Sequence, residues 1–302
     1  MNFQFTKYST VYYIISGILI IAAVASLIIF GLKFGIEFTG GSNMEVSFEK
    51  RPSNEEMQKN LSSLNLGKII VQPTGANSAV LQLKGIDEAT HQQILLELNK
   101  LSKTDEKSFQ YIGPSVGQEL KNKTELAIVL ALLSITLYIA FAFRKVSRPV
   151  ASWKYGITSL IALFHDILIP LGVFSVLGRF YNTEITIPII AALLTILGFS
   201  VHDTIVIFDR IRENILRKGM GQFDEIVDWS LNQTIGRSIS TVATVLLVMF
   251  SLFFFGGETL KSFSLALIIG ITSGAYSSIF IAGPLLVSWK KRDEKRLAKK
   301  GR

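Results

Sequence analysis

The chain has 302 residues and no cysteine. Disulfides, thiolate catalysis and cysteine-ligated metals are therefore excluded. Histidine is scarce: His91, His165 and His202 lie far apart, and none stands in the H-E-x-x-H spacing of a zinc hydrolase. No G-x-x-x-x-G-K-[ST] loop occurs, which argues against direct use of ATP. Paired intramembrane aspartates and a Ser/His pair of suitable spacing are both missing, so an intramembrane protease lacks support. Charge is thin as well, at 18% of residues against 49% hydrophobic, below the usual share for a globular enzyme. The chain is read as a non-enzyme with no cofactor and no metal.

What it has is long apolar blocks. Val11 to Leu32 runs about 22 residues without a charge, enough to cross about 30 Å of hydrocarbon. Ala23-Val24-Ala25 looks like a signal-peptidase site, but the apolar run continues through Leu32, so an uncleaved span is expected. Five more spans follow, at about Glu125–Phe143, Tyr155–Leu177, Ile185 onward to Asp209, Arg237–Phe255 and Phe263–Trp289. Between the first and second spans the composition turns soluble. Met44 to Phe48 alternates as a half-buried strand does, and Ser53 with Glu56 has capping-box spacing for a helix to about Leu64. Ile69–Gln72 and Ala79–Lys84 read as strands around a turn at 73–77. Asp87 caps a second helix to Leu101, and Ser108–Ile112 is a last short strand. The order β-α-β-β-α-β is that of a ferredoxin-like unit.

The expected architecture is an α-helical polytopic membrane protein. It has six transmembrane helices, with a small α+β, ferredoxin-like exported domain between the first and second. Residues 1–33 form the cytoplasmic N-terminus and first span, 34–122 the exported domain, 123–290 spans two to six, and 291–302 a basic cytoplasmic tail. The net charge of +8 is not spread evenly. Arg144, Lys145, Arg148 and Lys154 follow the second span, Arg210, Arg212, Arg217 and Lys218 the fourth, and the tail is strongly basic. The short loops on the other side carry only Arg179 and Lys261. This asymmetry makes the basic side cytoplasmic, and polybasic segments beside a span face anionic lipid sooner than nucleic acid.

An ionisable residue inside a span is costly and is a functional candidate by default. Asp203 stands late in the fourth span and is the first choice for a proton relay. Ser200 and Ile207 share its helix face. Arg237 opens the fifth span at similar depth, and Ser240, Thr241 and Thr244 share its face, a polar stripe suited to an interhelical contact. Pairing of Asp203 with Arg237 is therefore expected; the bland alternative is an arginine snorkelling to the interface. His165 and Asp166 are a second candidate, for relay or packing, but neighbours on a helix point about 100° apart, so they are not expected to face one groove. His202 beside Asp203 faces elsewhere by the same argument. Gly270, Gly274 and Ser278 fall at four-residue spacing, a face made for close helix packing.

Gly198 to Asn214, reading G-F-S-V-H-D-T-I-V-I-F-D-R-I-R-E-N, resembles a signature of the SecD/SecF family of bacterial protein-export membrane proteins, within the resistance-nodulation-division superfamily. Glu37-Phe38-Thr39-Gly40-Gly41 is similar to the family's D-F-x-G-G pattern. Residues 112–120, before the second span, and Phe255-Gly256-Gly257, before the sixth, also agree in order. The resemblance implies a subunit that works with a SecD partner and the SecYEG translocon. It would couple the proton-motive force to movement of a translocating preprotein across the bacterial cytoplasmic (inner) membrane. It places Asp203 at the family's essential aspartate and Arg237 at its functional arginine. Glu37, Phe38, Gly40 and Gly41 fall in one motif; Asp209, Arg210, Arg212 and Glu213 fall in the other. His202 stands where the family often has Asn, and Glu37 where it has Asp. The competing readings are a half-size small-molecule or lipid transporter of the same superfamily, and an assembly subunit with no proton role.

Overall fold

A computed structural model describes residues 3–67, 69–144, 150–218 and 222–300. Lys145 and Arg148, assigned above to a basic loop, lie outside the described residues, as does the side chain of Lys218. The chain divides into two compact units. One comprises Met1–Lys33, Ala127–Thr183 and Pro188–Arg302; the other comprises Phe34–Leu126 with Glu184–Ile187.

In the second unit the elements are α2 (Ile36–Thr39), β1 (Gly41–Phe48), α3 (Asn54–Leu61), β2 (Ile70–Thr74), β3 (Ser78–Leu83), α4 (Glu88–Leu101) and β4 (Thr104–Ile112). The strands form one antiparallel sheet in the order β2-β3-β1-β4. That order, with two helices on the crossovers, is the ferredoxin-like arrangement expected from the β-α-β-β-α-β pattern. Alternate residues Met44, Val46 and Phe48 of β1, with Ala79, Leu81 and Leu83 of β3, turn inward onto Met57, Leu61, Ile94 and Leu98 of the helices. The capping box forms: Glu56 N–H donates to Ser53 Oγ (3.2 Å), and Ser53 N–H to Glu56 Oε2 (2.8 Å). Asp87 accepts from Thr90 N–H at 2.9 Å. Two boundaries differ from expectation. β4 is longer, because Thr104–Lys107 is a charged edge segment with no apolar alternation to reveal it. β2 runs through Pro73 and Thr74, which an edge strand tolerates.

Among the described residues six helices are long and apolar enough to cross a bilayer, and the chain is a multi-pass membrane protein. They are α1 (Ser9–Phe30), α5 (Pro114–Ala142), α6 (Ser152–Tyr181), α7 (Ile187–Lys218), α8 (Phe223–Phe255), and a sixth built of α9 (Glu258–Ser277), a π-helical turn (Ser278–Ala282) and α10 (Gly283–Lys300). The fifth span, expected to open at Arg237, is the second half of a longer helix, α8, that already begins at Phe223. Nothing between Asn232 and Arg237 stops a helix, and an isolated glycine such as Gly236 is tolerated. The basic tail is also helical, to Lys300.

In the first unit large apolar side chains such as Ile18, Ile28 and Leu247 point outward, Phe143, Tyr155, Leu163 and Phe208 pack in a buried cluster, and small residues make the contact of α1 with α6. A Cβ on Gly172 of α6 would lie 2.6 Å from Ala23 Cα of α1. Ser26 Oγ donates to Gly172 O (3.0 Å), and Ser175 Oγ to Ser26 O (2.8 Å). With lipid on the outside there is no hydrophobic drive between helices, so close backbone approach and hydroxyl bonds bring them together.

Candidate functional site

Asp203 sits in mid-α7 and is 7% exposed. Ser238 Oγ of α8 donates to its Oδ1 at 2.9 Å, and its Oδ2 is buried without a hydrogen-bond partner. The bond goes to Ser238 because α8 buries Ser230, Thr234, Ser238 and Val242, a row at four-residue spacing. The expected partner, Arg237, is one residue round the helix and exposed. It stays close enough to act on the charge of Asp203 but makes no ion pair with it. The stripe that shares its face turns inward on itself: Ser240 Oγ donates to Gly236 O (2.9 Å), Thr241 Oγ1 to Arg237 O (3.0 Å) and Thr244 Oγ1 to Thr241 O (2.8 Å). His202 is exposed, about 100° round α7 from Asp203.

The second centre lies one turn back along α7, where Ser200 and the helices α6 and α9 meet. Asp166 of α6 is wholly buried and His165 nearly so. Ser200 Oγ donates to Asp166 Oδ2 at 2.5 Å, and Ser277 Oγ to the same oxygen at 2.7 Å. Ser273 Oγ donates to Oδ1 at 3.1 Å, and His165 Nδ1 lies 2.9 Å from it. His165 and Asp166 thus do meet in one cluster, against expectation. Their side chains bend towards each other, and Ser273 lies within reach of both. Ser200, placed above on the Asp203 face, spends its hydroxyl on Asp166. One turn on, Thr204 and Ser278 share a hydrogen bond of 2.9 Å. The face of Gly270 and Gly274 makes this fit: a Cβ on Gly274 would lie 3.1 Å from Ser200 Cβ. Ser238, Ser273 and Ser277 were missed in the sequence. The four-residue rows Ser230-Thr234-Ser238 and Ser273-Ser277 were the available signal.

Past Asp203 the motif charges satisfy one another on the helix surface. Arg210 Nη1 and Arg217 Nη2 each bond Glu213 at 2.7 Å, and Arg212 stands 3.7 Å from Asp209. Buried Asn214 ties α7 to α8 by donating to Ser230 Oγ (2.8 Å) and Gln233 Oε1 (3.1 Å). A half-open cavity of about 370 Å³ is lined here by Tyr138, Phe143, Asp209, Arg210, Glu213 and Arg237 among others.

In the second unit Glu37-Phe38-Thr39-Gly40-Gly41 makes a tight corner. Gly40 has φ +73°, and a Cβ there would lie 2.8 Å from Pro114 Cα. Gly41 has φ +141°, with Leu83 O 2.7 Å from the same position. Only glycine fits both conformation and contact. Phe38 is buried beside them. Glu37 is half-buried, which pushes its carboxyl above the usual glutamate range; its own backbone hydrogen bond opposes this, and the nearby Glu184 adds to it.

With this geometry in place, the relatives are informative. A family model described as protein export membrane protein SecD/SecF, C-terminal, matches residues 92–292, and one described as the SecD/SecF GG motif matches residues 25–50. A protein translocase subunit SecF of Thermobaculum terrenum is 44% identical over 299 residues, covering 95% of this chain and 93% of the relative. Another, of Desulfurispirillum indicum, is 37% identical over 290 residues, covering 92% and 88%. The crystal structure of SecDF, a translocon-associated membrane protein from Thermus thermophilus, matches with a TM-score of 0.85 at 30% identity. The match covers 96% of this chain and 39% of that one. A second SecDF structure, in a super-membrane-facing form, gives 0.73 at 31% identity and covers 99% of this chain and 40% of the other.

Proposed function

The chain belongs to the SecD/SecF family of protein-export membrane proteins, and from that premise we propose that it is the SecF-type subunit of a Sec translocase. It acts with a SecD partner beside the SecYEG translocon, and couples the proton-motive force to preprotein movement across the bacterial inner membrane. Both termini are cytoplasmic and the ferredoxin-like domain is exported. The proton-carrying group is Asp203, with Arg237 as the neighbouring positive charge.

The observation that carries this reading is the half-used carboxylate: one oxygen held by Ser238, the other buried and open to a proton or a new donor. Asp209, at the cavity, is six residues on, about 9 Å along the helix axis. The route from the cytoplasmic cavity to the carboxylate is therefore short. Burial disfavours a charged carboxylate and a nearby cation favours it, so relative movement of α7 and α8 changes which form is preferred. In such a cycle the carboxylate takes up a proton in one arrangement and releases it in the other.

The test is Asp203→Asn, nearly isosteric but unable to ionise. Membrane insertion and partner binding should persist, the gradient-dependent part of preprotein translocation should vanish, and any ATP-driven part should remain. Arg237→Met should act likewise, with Arg237→Lys milder because the charge is kept. Wild-type translocation by Asp203→Asn membranes under an imposed gradient would reject the proton role. The small-molecule transporter alternative is not favoured, since the curated relatives are translocase subunits over nearly their full length.

A further inference from the structure

Asp166 is a buried carboxylate inside a span that the proton reading of Asp203 does not use. Four groups converge on it: His165 on its own helix, Ser200 on α7, and Ser273 and Ser277 on α9. The three serine hydroxyls donate to its two oxygens, and His165 Nδ1 lies within hydrogen-bond distance of Oδ1. Three helices are thereby joined at one point. The joint has little room, because a Cβ on Gly274 would lie 3.1 Å from Ser200 Cβ and 3.5 Å from Asp166 Oδ2. The next turn repeats the connection through Thr204 and Ser278, where α9 gives way to its π-helical turn. Interruptions of that kind are frequent at functional sites.

Ser200 and Asp203 are one turn apart on α7, about 4.5 Å along the axis. Whatever fixes Ser200 fixes the height and rotation at which Asp203 meets α8. We propose that Asp166 is the positioning residue for Asp203: its bonds to Ser200 and Ser277 anchor α7 against α6 and α9, and so set the contact of Asp203 with Ser238. The proposal rests on the proton role of Asp203. His165 completes the anchor. Its Nδ1 is committed to Asp166, its ring stacks on Tyr276 of α9 at 5.9 Å, and Tyr276 donates to Tyr12 O of α1 at 3.1 Å. The titratable and charged groups around the pair of sites are Arg237 on α8, His202 on α7, His165 on α6 and Tyr276 on α9. Of these titratable groups, only His165 bonds Asp166 directly.

The test uses the full chain with its partner in proteoliposomes. Infrared difference spectra across pH follow the Asp203 carboxyl band, identified by its loss in Asp203→Asn. Asp166→Asn should shift the midpoint of that band by about one pH unit, a tenfold change in proton affinity. Ser277→Ala should shift it less, in the same direction, and gradient-driven translocation should fall in the same order. A second measurement reads the placement of α7 on α8 directly. In the cysteine-free chain, oxidative cross-linking of Asn214→Cys to Ser230→Cys should lose yield when Asp166→Asn is added. A band midpoint and a cross-linking yield both unmoved by Asp166→Asn, whatever its effect on thermal stability, overturn the proposal and leave Asp166 a packing group. Absence of any titrating band from Asp203 rejects the proton role instead, and the cross-linking yield then decides the positioning role alone.

Discussion

Asp203 and Asp166 are both carboxylates inside spans, yet they are held in opposite ways. Both oxygens of Asp166 are held, by three serine hydroxyls with His165 beside them; Asp203 has one donor and an oxygen without a partner. The single bond to Ser238 therefore matters more than its number suggests. A hydrogen bond to a charged group contributes about 1.5–3 kcal/mol. Ser238→Ala should shift the proton affinity of Asp203 and slow gradient-driven translocation. Ser240→Ala, which loses only a bond to its own helix, should leave both near wild type. Equal effects of the two substitutions would mean that Ser238 is not the group that holds Asp203. Glu37 allows a pH prediction in the ferredoxin-like unit. Burial first, and then Glu184, raise its carboxyl above the ordinary value of 4.5, so the folded state binds the proton more tightly than the unfolded one. Its contribution to stability is full below 4.5 and is lost as pH rises through the higher folded-state value. Glu37→Gln should remove this pH dependence and raise stability at neutral pH relative to wild type. Thermal unfolding of the ferredoxin-like unit at a series of pH values checks it; a variant that follows the wild-type profile contradicts it.

At the scale of elements, the sequence was most readable where a periodic pattern met a chemical marker. Ser53 with Glu56, and Asp87 with Thr90, announce both helices of the ferredoxin-like unit, and the alternation in β1 announces its central strand. The six spans were legible from length and charge alone. What was not legible is rotation. Periodicity tells which residues share a helix face, as Arg237, Ser240, Thr241 and Thr244 do. It does not tell which face a neighbouring helix will meet, so Ser238 was overlooked and the partnership went to Arg237. The Asp166 cluster was missed for the same reason, because its donors come from three helices. Glycines allow a sharp test of the packing. Gly172→Ala would drive a Cβ to 2.6 Å from the Ala23 backbone, which cannot yield, so α1 must move away from α6. Overpacking of this kind costs about 1–3 kcal/mol. Gly198, in the exposed part of α7, has nothing within 4 Å of its would-be Cβ. Gly198→Ala should instead stabilise by about 0.5–1 kcal/mol through helix propensity. Opposite shifts in thermal midpoint are expected, and a shift of the same sign in both would contradict the α1–α6 contact.

For the whole molecule, the decisive quantity is the sorting of positive charge. Lys154, Arg210, Arg212, Arg217 and the run from Lys290 to Lys299 all fall at one set of helix ends, and the short loops at the other ends carry little. Charge of this kind is retained on the cytoplasmic side during insertion, and it also favours the anionic inner leaflet. The same side bears the cavity lined by Asp209 and Arg237, so orientation decides whether Asp203 is reached from the cytoplasm or from outside. Because the chain lacks cysteine, single substitutions report on this without background. Ala76→Cys, exposed in the turn between β2 and β3, should react with a membrane-impermeant maleimide on intact cells. Leu297→Cys, 70% exposed on α10, should react only after the membrane is opened. Labelling of Leu297→Cys from outside would invert the topology. The short route to Asp203 would then open to the exterior, and a gradient directed inward would meet the carboxylate from the side opposite to the one proposed.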